Sequence, residues 1–260
     1  MGEKVDRAAF TREDRLRYRQ KVRRCLDVFA RMLTQDRFDF QQPLIGLEIE
    51  LNLVDASGDP AMANERVLAL IADPAFQTEL GQFNIEINVP PGRLADDSLV
   101  ELEKSVRASL NHGDEMARGA GAELVMVGIL PTLQERYLTI DSLSADPRYQ
   151  LINEQIFAAR GEDLNLAIIG VERLSTHADT IAPEAACTSV QLHLQVSPDD
   201  FAPYWNAAQA IAGIQVALGA NAPFLFGKEL WRETRIALFE QATDTPVSYT
   251  HLTLPTKRIV

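Results

Sequence analysis

Three short stretches of this chain alternate acidic, amide and imidazole side chains with apolar ones at every second position. In Leu44-Ile-Gly-Leu-Glu-Ile-Glu-Leu-Asn-Leu-Val54, the residues Leu47, Ile49, Leu51 and Leu53 fall on one side of an extended chain; Gly46, Glu48, Glu50 and Asn52 fall on the other. Phe83-Asn-Ile-Glu-Ile-Asn-Val89 repeats the design, setting Asn84, Glu86 and Asn88 against Phe83, Ile85, Ile87 and Val89. Ser189-Val-Gln-Leu-His-Leu-Gln-Val196 does so again, with Gln191, His193 and Gln195 opposite Val190, Leu192, Leu194 and Val196.

A sheet with one solvated face is the ordinary explanation of such alternation. The residue types argue for something more specific. Asn, Asp and Glu are depleted in strands, yet they dominate here, and no lysine or arginine shares the face. Glu48 and Glu50 stand roughly 6.6–6.8 Å apart along one strand. Adding Glu86 from a neighbouring strand concentrates like charge, which destabilises a sheet unless a cation neutralises it. Carboxylates with few neutral donors suit Mg²⁺ or Mn²⁺, and one imidazole is compatible with either.

Carboxylate-held hard cations without a protein nucleophile point towards phosphate chemistry. There is no G-x-x-x-x-G-K-[ST] and no G-x-G-x-x-G after a strand, so a nucleotide site would be built from the sheet face and later loops. Gly119-Ala-Gly121 reads as a helix stop. Arg232 and Arg235 stand three apart in a stretch, 228–241, whose spacing predicts a helix, where both could reach one anion; the alternative is surface pairing with Glu229 or Glu233. Cys187 and His193, six residues apart along an extended chain, are on the order of 20 Å from each other, too far for a nucleophile–base pair. His112 and His177 stand alone in polar surroundings and read as non-catalytic.

The elements that must position these residues follow from periodicity. Helices are predicted near 12–34, 62–72, 98–118, 148–160, 203–219 and 228–241, and strands near 44–54, 82–89, 123–129 and 188–196. Mixed helices and two-period strands indicate an α/β or α+β domain. The chain has 260 residues and a formal net charge of −12. Nine of its 25 basic residues, against four of its 37 acids, lie within 12–37. That segment reads as a basic N-terminal helix (residues 1–40) packed on an acidic body, the alternative being a nucleic-acid contact; the acidic remainder itself repels nucleic acid and suits cations. No apolar run is long enough to span a membrane and no secretory signal precedes the first helix. Two cysteines give no disulfide framework, so a cytoplasmic setting is expected. Residues 247–260, Val247-Ser-Tyr-Thr-His-Leu-Thr-Leu-Pro-Thr-Lys-Arg-Ile-Val260, read as a non-native tail, with His251 functionless and the natural protein continuing past about Pro246.

Taken together, Ile45-Gly-Leu-Glu-Ile-Glu50, Gly81-Gln-Phe-Asn-Ile-Glu-Ile87, Cys187-Thr-Ser-Val-Gln-Leu-His193 and Ala220-Asn-Ala-Pro-Phe224 with Gly227-Lys228 resemble the bacterial and plant-type glutamate–cysteine ligase family, over about residues 40–245. That resemblance implies an α+β fold: a curved, mainly antiparallel sheet with flanking helices, a glutamine-synthetase-like catalytic domain occupying 41–246 and incomplete there. It implies metal ligands at Glu48, Glu50, Glu86 and His193 for Mg²⁺ (or Mn²⁺), and substrate or ATP contacts at Gln191, Asn221, Arg232 and Arg235. Glu48, Glu50 and Arg235 are then the catalytic candidates. The implied reaction consumes ATP as co-substrate, phosphorylates the γ-carboxylate of glutamate and joins it to an amine such as cysteine. The family's later Glu- and Arg-bearing strand has no counterpart here, so this stretch alone is expected to be inactive or nearly so. A two-metal hydrolase and a non-catalytic metabolite-binding protein are the alternatives.

Overall fold

The computed structural model describes residues 10–38 and 43–244. Along the chain come α1 (Arg12–Thr34), β1 (Leu44–Val54), α2 (Asn64–Ile71), β2 (Phe76–Thr78), β3 (Asn84–Arg93), α3 (Ser98–Gly119), β4 (Glu123–Val125), α4 (Pro147–Arg160), β5 (Leu164–Ile169), β6 (Arg173–Ala178), β7 (Val190–Leu194), α5 (Phe201–Gly219), β8 (Phe224–Leu225), β9 (Lys228–Glu229) and α6 (Thr234–Thr243). A 3₁₀ turn at Ala182–Ala186 leads towards β7. The fold is a mixture of helices and antiparallel sheet, of the α+β class.

β1 is the spine of the principal sheet. On one side it pairs antiparallel with β3, from Leu44 opposite Arg93 to Asn52 opposite Asn84, and β2 pairs with the far edge of β3. Two short strands share its other side: β7 runs antiparallel along Ile45–Ile49 and β4 along Asn52–Val54. The alternation therefore acts as the sequence requires. Leu47, Ile49, Leu51 and Leu53 are buried with Ile85, Ile87 and Val89 against Phe76, Val67 and Ile71 of α2 and Ala117 of α3. Each large aliphatic side chain so buried contributes roughly 1.5–3 kcal/mol. This packing fixes the register, because a one-residue slip would turn every glutamate into the core.

A second core joins Phe83, Ile129 and Leu133 to Leu166 and Ile168 of β5, Leu174 of β6 and Leu238 of α6. The β5–β6 hairpin that supplies it was not among the expected strands. Its buried Leu164, Leu166 and Ile168 alternate with exposed residues, and its loop is pinned by the β8–β9 turn. Glu172 accepts the backbone N–H of Glu229 and an Nζ hydrogen bond from Lys228, which hold its carboxyl below the usual range. The fit is tight: a Cβ on Gly170 would stand 2.4 Å from the Leu230 carbonyl carbon.

Three further expectations are corrected. The helix expected over 228–241 begins only at Thr234, because Phe226 and Gly227 both take positive φ and close the β8–β9 hairpin first. α1 forms over the expected residues with a Thr11–Asp14 capping box, but none of its residues is buried. Among the described residues it is not packed on the acidic body: Leu16, Leu26 and Phe29 remain exposed. β7 likewise leaves Val190, Leu192 and Leu194 exposed on the side where β1 and β3 are covered. The other strands move little, β3 running on to Arg93 and β4 stopping at Val125, while α3 does stop where Gly121 takes positive φ. Among the described residues no helix is long and apolar enough to cross a membrane. The expectation for 247–260, His251 included, lies outside the described residues.

Candidate active site

The pairing of β1 with β3 and β7 gathers the polar residues of three strands. Glu50 stands directly opposite Glu86, Glu48 opposite Gln191 on one side and Asn88 on the other, and Gly46 opposite His193. Directly paired side chains on one face have Cβ atoms about 4.5–5.5 Å apart. Glu48 Oε2 lies 3.6 Å from His193 Nε2 at the more open end of the sheet. Glu50 is the better held: Ser189 donates its backbone N–H to Oε2 at 2.8 Å, and Gln191 Nε2 donates to Oε1 at 3.3 Å.

Glu79, in the turn between β2 and β3, adds a carboxylate that periodicity could not reveal, since it lies outside any alternating run. It exchanges a hydrogen bond with Glu86 and feels the charge of Glu50. Glu86 is 7% exposed. Burial, then the charges of Glu79 and Glu48, push its carboxyl up to about 7. Burial also raises Glu50, against the opposing hydrogen bonds from Ser189 and Gln191, and raises Glu79 despite Arg148 nearby. Each shift records the same fact: negative charge has been placed where water cannot fully solvate it.

Glu50 and Glu79 border a cavity of about 1130 Å³. Of the candidates, Glu50, Gln191, Asn221 and Arg235 line it; Glu48, Glu86, His193 and Arg232 do not. Arg232 precedes α6 rather than sharing a helix face with Arg235, and its side chain is exposed. Its backbone carbonyl accepts from Ala222. Arg235, in the first turn of α6, donates from Nε to Glu233 Oε1 and from an η nitrogen to the Thr188 carbonyl, each at 2.5 Å. Asn221 Oδ1 accepts the Gly128 N–H at 2.9 Å. Cys187 lines the cavity while His193 does not; burial drives the Cys187 thiol far above its ordinary range, so it is no thiolate nucleophile.

Among the described residues no three His, Cys, Asp or Glu side chains are drawn close enough to hold a metal ion as they stand. The chemistry of the donor set nevertheless fits a hard cation: partly buried carboxylates that repel one another, with Arg148 acting on Glu79.

Compared with known families, residues 44–252 match the model of glutamate-cysteine ligase family 2 (GCS2). The chain belongs to glutamate-cysteine ligase family 2. The matched stretch contains the whole sheet, the cavity and every candidate residue that the geometry gathers. A search of curated proteins finds no match. Among solved structures, the crystal structure of a bifunctional glutathione synthetase from Pasteurella multocida is similar at 17% identity with a TM-score of 0.35, covering 64% of this chain. This family 2 chain spans 18% of the length of that structure's chain.

Proposed function

We propose that this chain carries the carboxylate-rich wall of an ATP- and Mg²⁺-dependent carboxylate–amine ligase site, of glutamine-synthetase-like design, joining glutamate to an amine such as cysteine through an acyl phosphate. The observation that carries the reading is the Glu50–Glu86–Glu79 cluster on the sheet face at one side of the cavity, in a chain of this ligase family. Glu48, Glu50, Glu79 and Glu86, with His193, would hold Mg²⁺ (or Mn²⁺). When bound, Mg²⁺ supplies neutralisation of triphosphate charge.

The chain's own residues have distinct tasks. Ser189 and Gln191 hold the Glu50 carboxylate in place. Thr188 and Glu233 aim Arg235 at the cavity, where a guanidinium can take an anionic oxygen of the donor carboxylate or the phosphate. Attack by an amine on an acyl phosphate needs alignment rather than a protein nucleophile, in keeping with a neutral Cys187. Arg235 is the basic side chain lining the cavity among the described residues. One guanidinium, already shared with Glu233 and Thr188, is a thin complement for a triphosphate, so these residues by themselves turn over at or near background.

Calorimetric titration with ATP tests the reading directly. ATP binds in the presence of Mg²⁺, and both EDTA and Glu50→Gln weaken binding at least tenfold. ATP affinity indifferent to both changes contradicts it and marks a non-catalytic binding protein. Release of amide-hydrolysis product without ATP marks a two-metal hydrolase instead.

A further inference from the structure

α1 contributes no residue to either core, and none of its 23 residues is buried. Its apolar side chains are nonetheless ordered around the helix. Tyr18, Val22, Leu26, Phe29 and Leu33 follow one another at spacings of four, four, three and four. At 3.6 residues per turn those spacings keep them in one stripe. All five are exposed. Phe38, beyond the end of the helix, packs edge-on against Phe29, with ring centroids 6.0 Å apart.

The charges of α1 are a second, independent observation. The helix carries eight basic residues against three acidic ones. Of the acids, Glu13 takes an Nη2 hydrogen bond from Arg17 at 2.6 Å, and Asp14 closes the capping box with Thr11. The side chains of Arg12, Arg15, Arg19, Lys21, Arg23 and Arg24 make no hydrogen bond or ion pair with a described residue. Around the helix, Arg19 and Arg23 fall along one edge of the apolar stripe and Lys21 along the other. Long basic side chains in such places lay their methylenes on apolar surface and keep their charges at its rim.

One helix thus has two unmet demands, an apolar stripe without cover and a set of cations without counter-charge. A nucleic acid answers the cations and leaves the stripe in water. Pairing with α1 of a second copy covers the stripe but brings two sets of uncompensated cations together. We propose that α1 docks on an anionic phospholipid surface, lying in its plane. Its stripe of Tyr18, Val22, Leu26, Phe29 and Leu33 then enters the boundary between headgroups and acyl chains, while the flanking arginines and lysine meet lipid phosphates. The acidic remainder of the chain does not cancel this attraction, because exposed charges more than about 8 Å apart are largely screened at physiological salt. The contact uses no residue of the cavity, so it stands or falls independently of the ligase reading.

Co-sedimentation of the whole chain with vesicles tests it, phosphatidylcholine mixed with phosphatidylglycerol being compared with phosphatidylcholine alone. Binding to the anionic vesicles is expected, weakening as salt rises and at least tenfold stronger than to the neutral ones. The double variant Leu26→Glu/Phe29→Glu removes the apolar contact and Arg19→Glu/Arg23→Glu the electrostatic one; each weakens binding at least tenfold. All four residues are exposed, so both variants keep the wild-type melting temperature, which excludes unfolding as the cause. Equal binding to both kinds of vesicle, binding to neither, or binding unchanged in either variant overturns the proposal. A lipid-free dimer, seen by sedimentation velocity and lost in Leu26→Glu/Phe29→Glu, also overturns it and assigns the stripe to a second copy. Preference for duplex DNA over the anionic vesicles, lost in Arg19→Glu/Arg23→Glu but not in Leu26→Glu/Phe29→Glu, overturns it in favour of a nucleic-acid contact.

Discussion

Glu86→Gln stabilises the metal-free protein at pH 8 by about 3 kcal/mol, the equivalent of moving a carboxyl from its usual range to about 7 at roughly 1.4 kcal/mol per unit. The sign follows from linkage. A carboxyl whose folded pKa is raised favours the folded state only while protonated. Its contribution is complete below about 4.5 and is lost as pH rises through about 7. Wild-type stability should therefore fall between pH 5 and 8 in EDTA, whereas Glu86→Gln should lose much less over that window. Urea unfolding at pH 5 and pH 8, in EDTA, measures both. A wild type as stable at pH 8 as at pH 5, with no gain from the substitution, would mean that Glu86 is solvated and the acidic face carries no electrostatic strain.

Arg235→Ala is expected to destabilise the protein by about 3–5 kcal/mol, the range for breaking a buried ion pair from one side. The reason lies in Glu233, which has one oxygen on Arg235 Nε, the other unpartnered, and almost no exposure to water. Removing the guanidinium strands that charge and also frees the Thr188 carbonyl. The double variant Arg235→Ala/Glu233→Gln should recover a large part of the loss, because the neutral amide no longer needs a counter-charge. Arg235→Lys should fall between, keeping the charge but not the fork that serves Glu233 and Thr188 together. Chemical denaturation of the wild type, Arg235→Ala, Glu233→Gln and the double variant forms a double-mutant cycle; additive losses would show that the pair does not interact.

The sheet was the legible part of this fold because one physical rule writes it into the chain. The alternation in β1 sets Leu47, Ile49, Leu51 and Leu53 on the face against which α2 and α3 pack, although Asn52 and Val54 on the other face are buried as well. The polar remainder, Glu48, Glu50 and Glu86, followed automatically. Where sequence reading failed, local signals pointed the wrong way. The stretch 228–241 reads as one helix, yet the left-handed backbone at Phe226 and Gly227 delays the helix until Thr234, which separates Arg232 from Arg235. The β5–β6 hairpin is short, and its alternation is diluted by alanine and threonine. Glu79 and Glu184 sit in turns, where no period operates; only the packing of β2 against β3, and of the 182–186 turn against Gly81, brings them to the cavity. The apolar side of β7 shows the converse case, alternation without burial among the described residues.

The central claim is that carboxylates from β1, β3 and the turn before β3 share a divalent cation. Electron paramagnetic resonance of Mn²⁺ titrated into the chain tests it most directly. The account predicts saturable Mn²⁺ binding that Mg²⁺ displaces and that Glu50→Gln and Glu86→Gln each weaken at least tenfold. Mn²⁺ that stays free in solution at concentrations saturating its ATP complex, or binds equally well to the wild type and both variants, would contradict it.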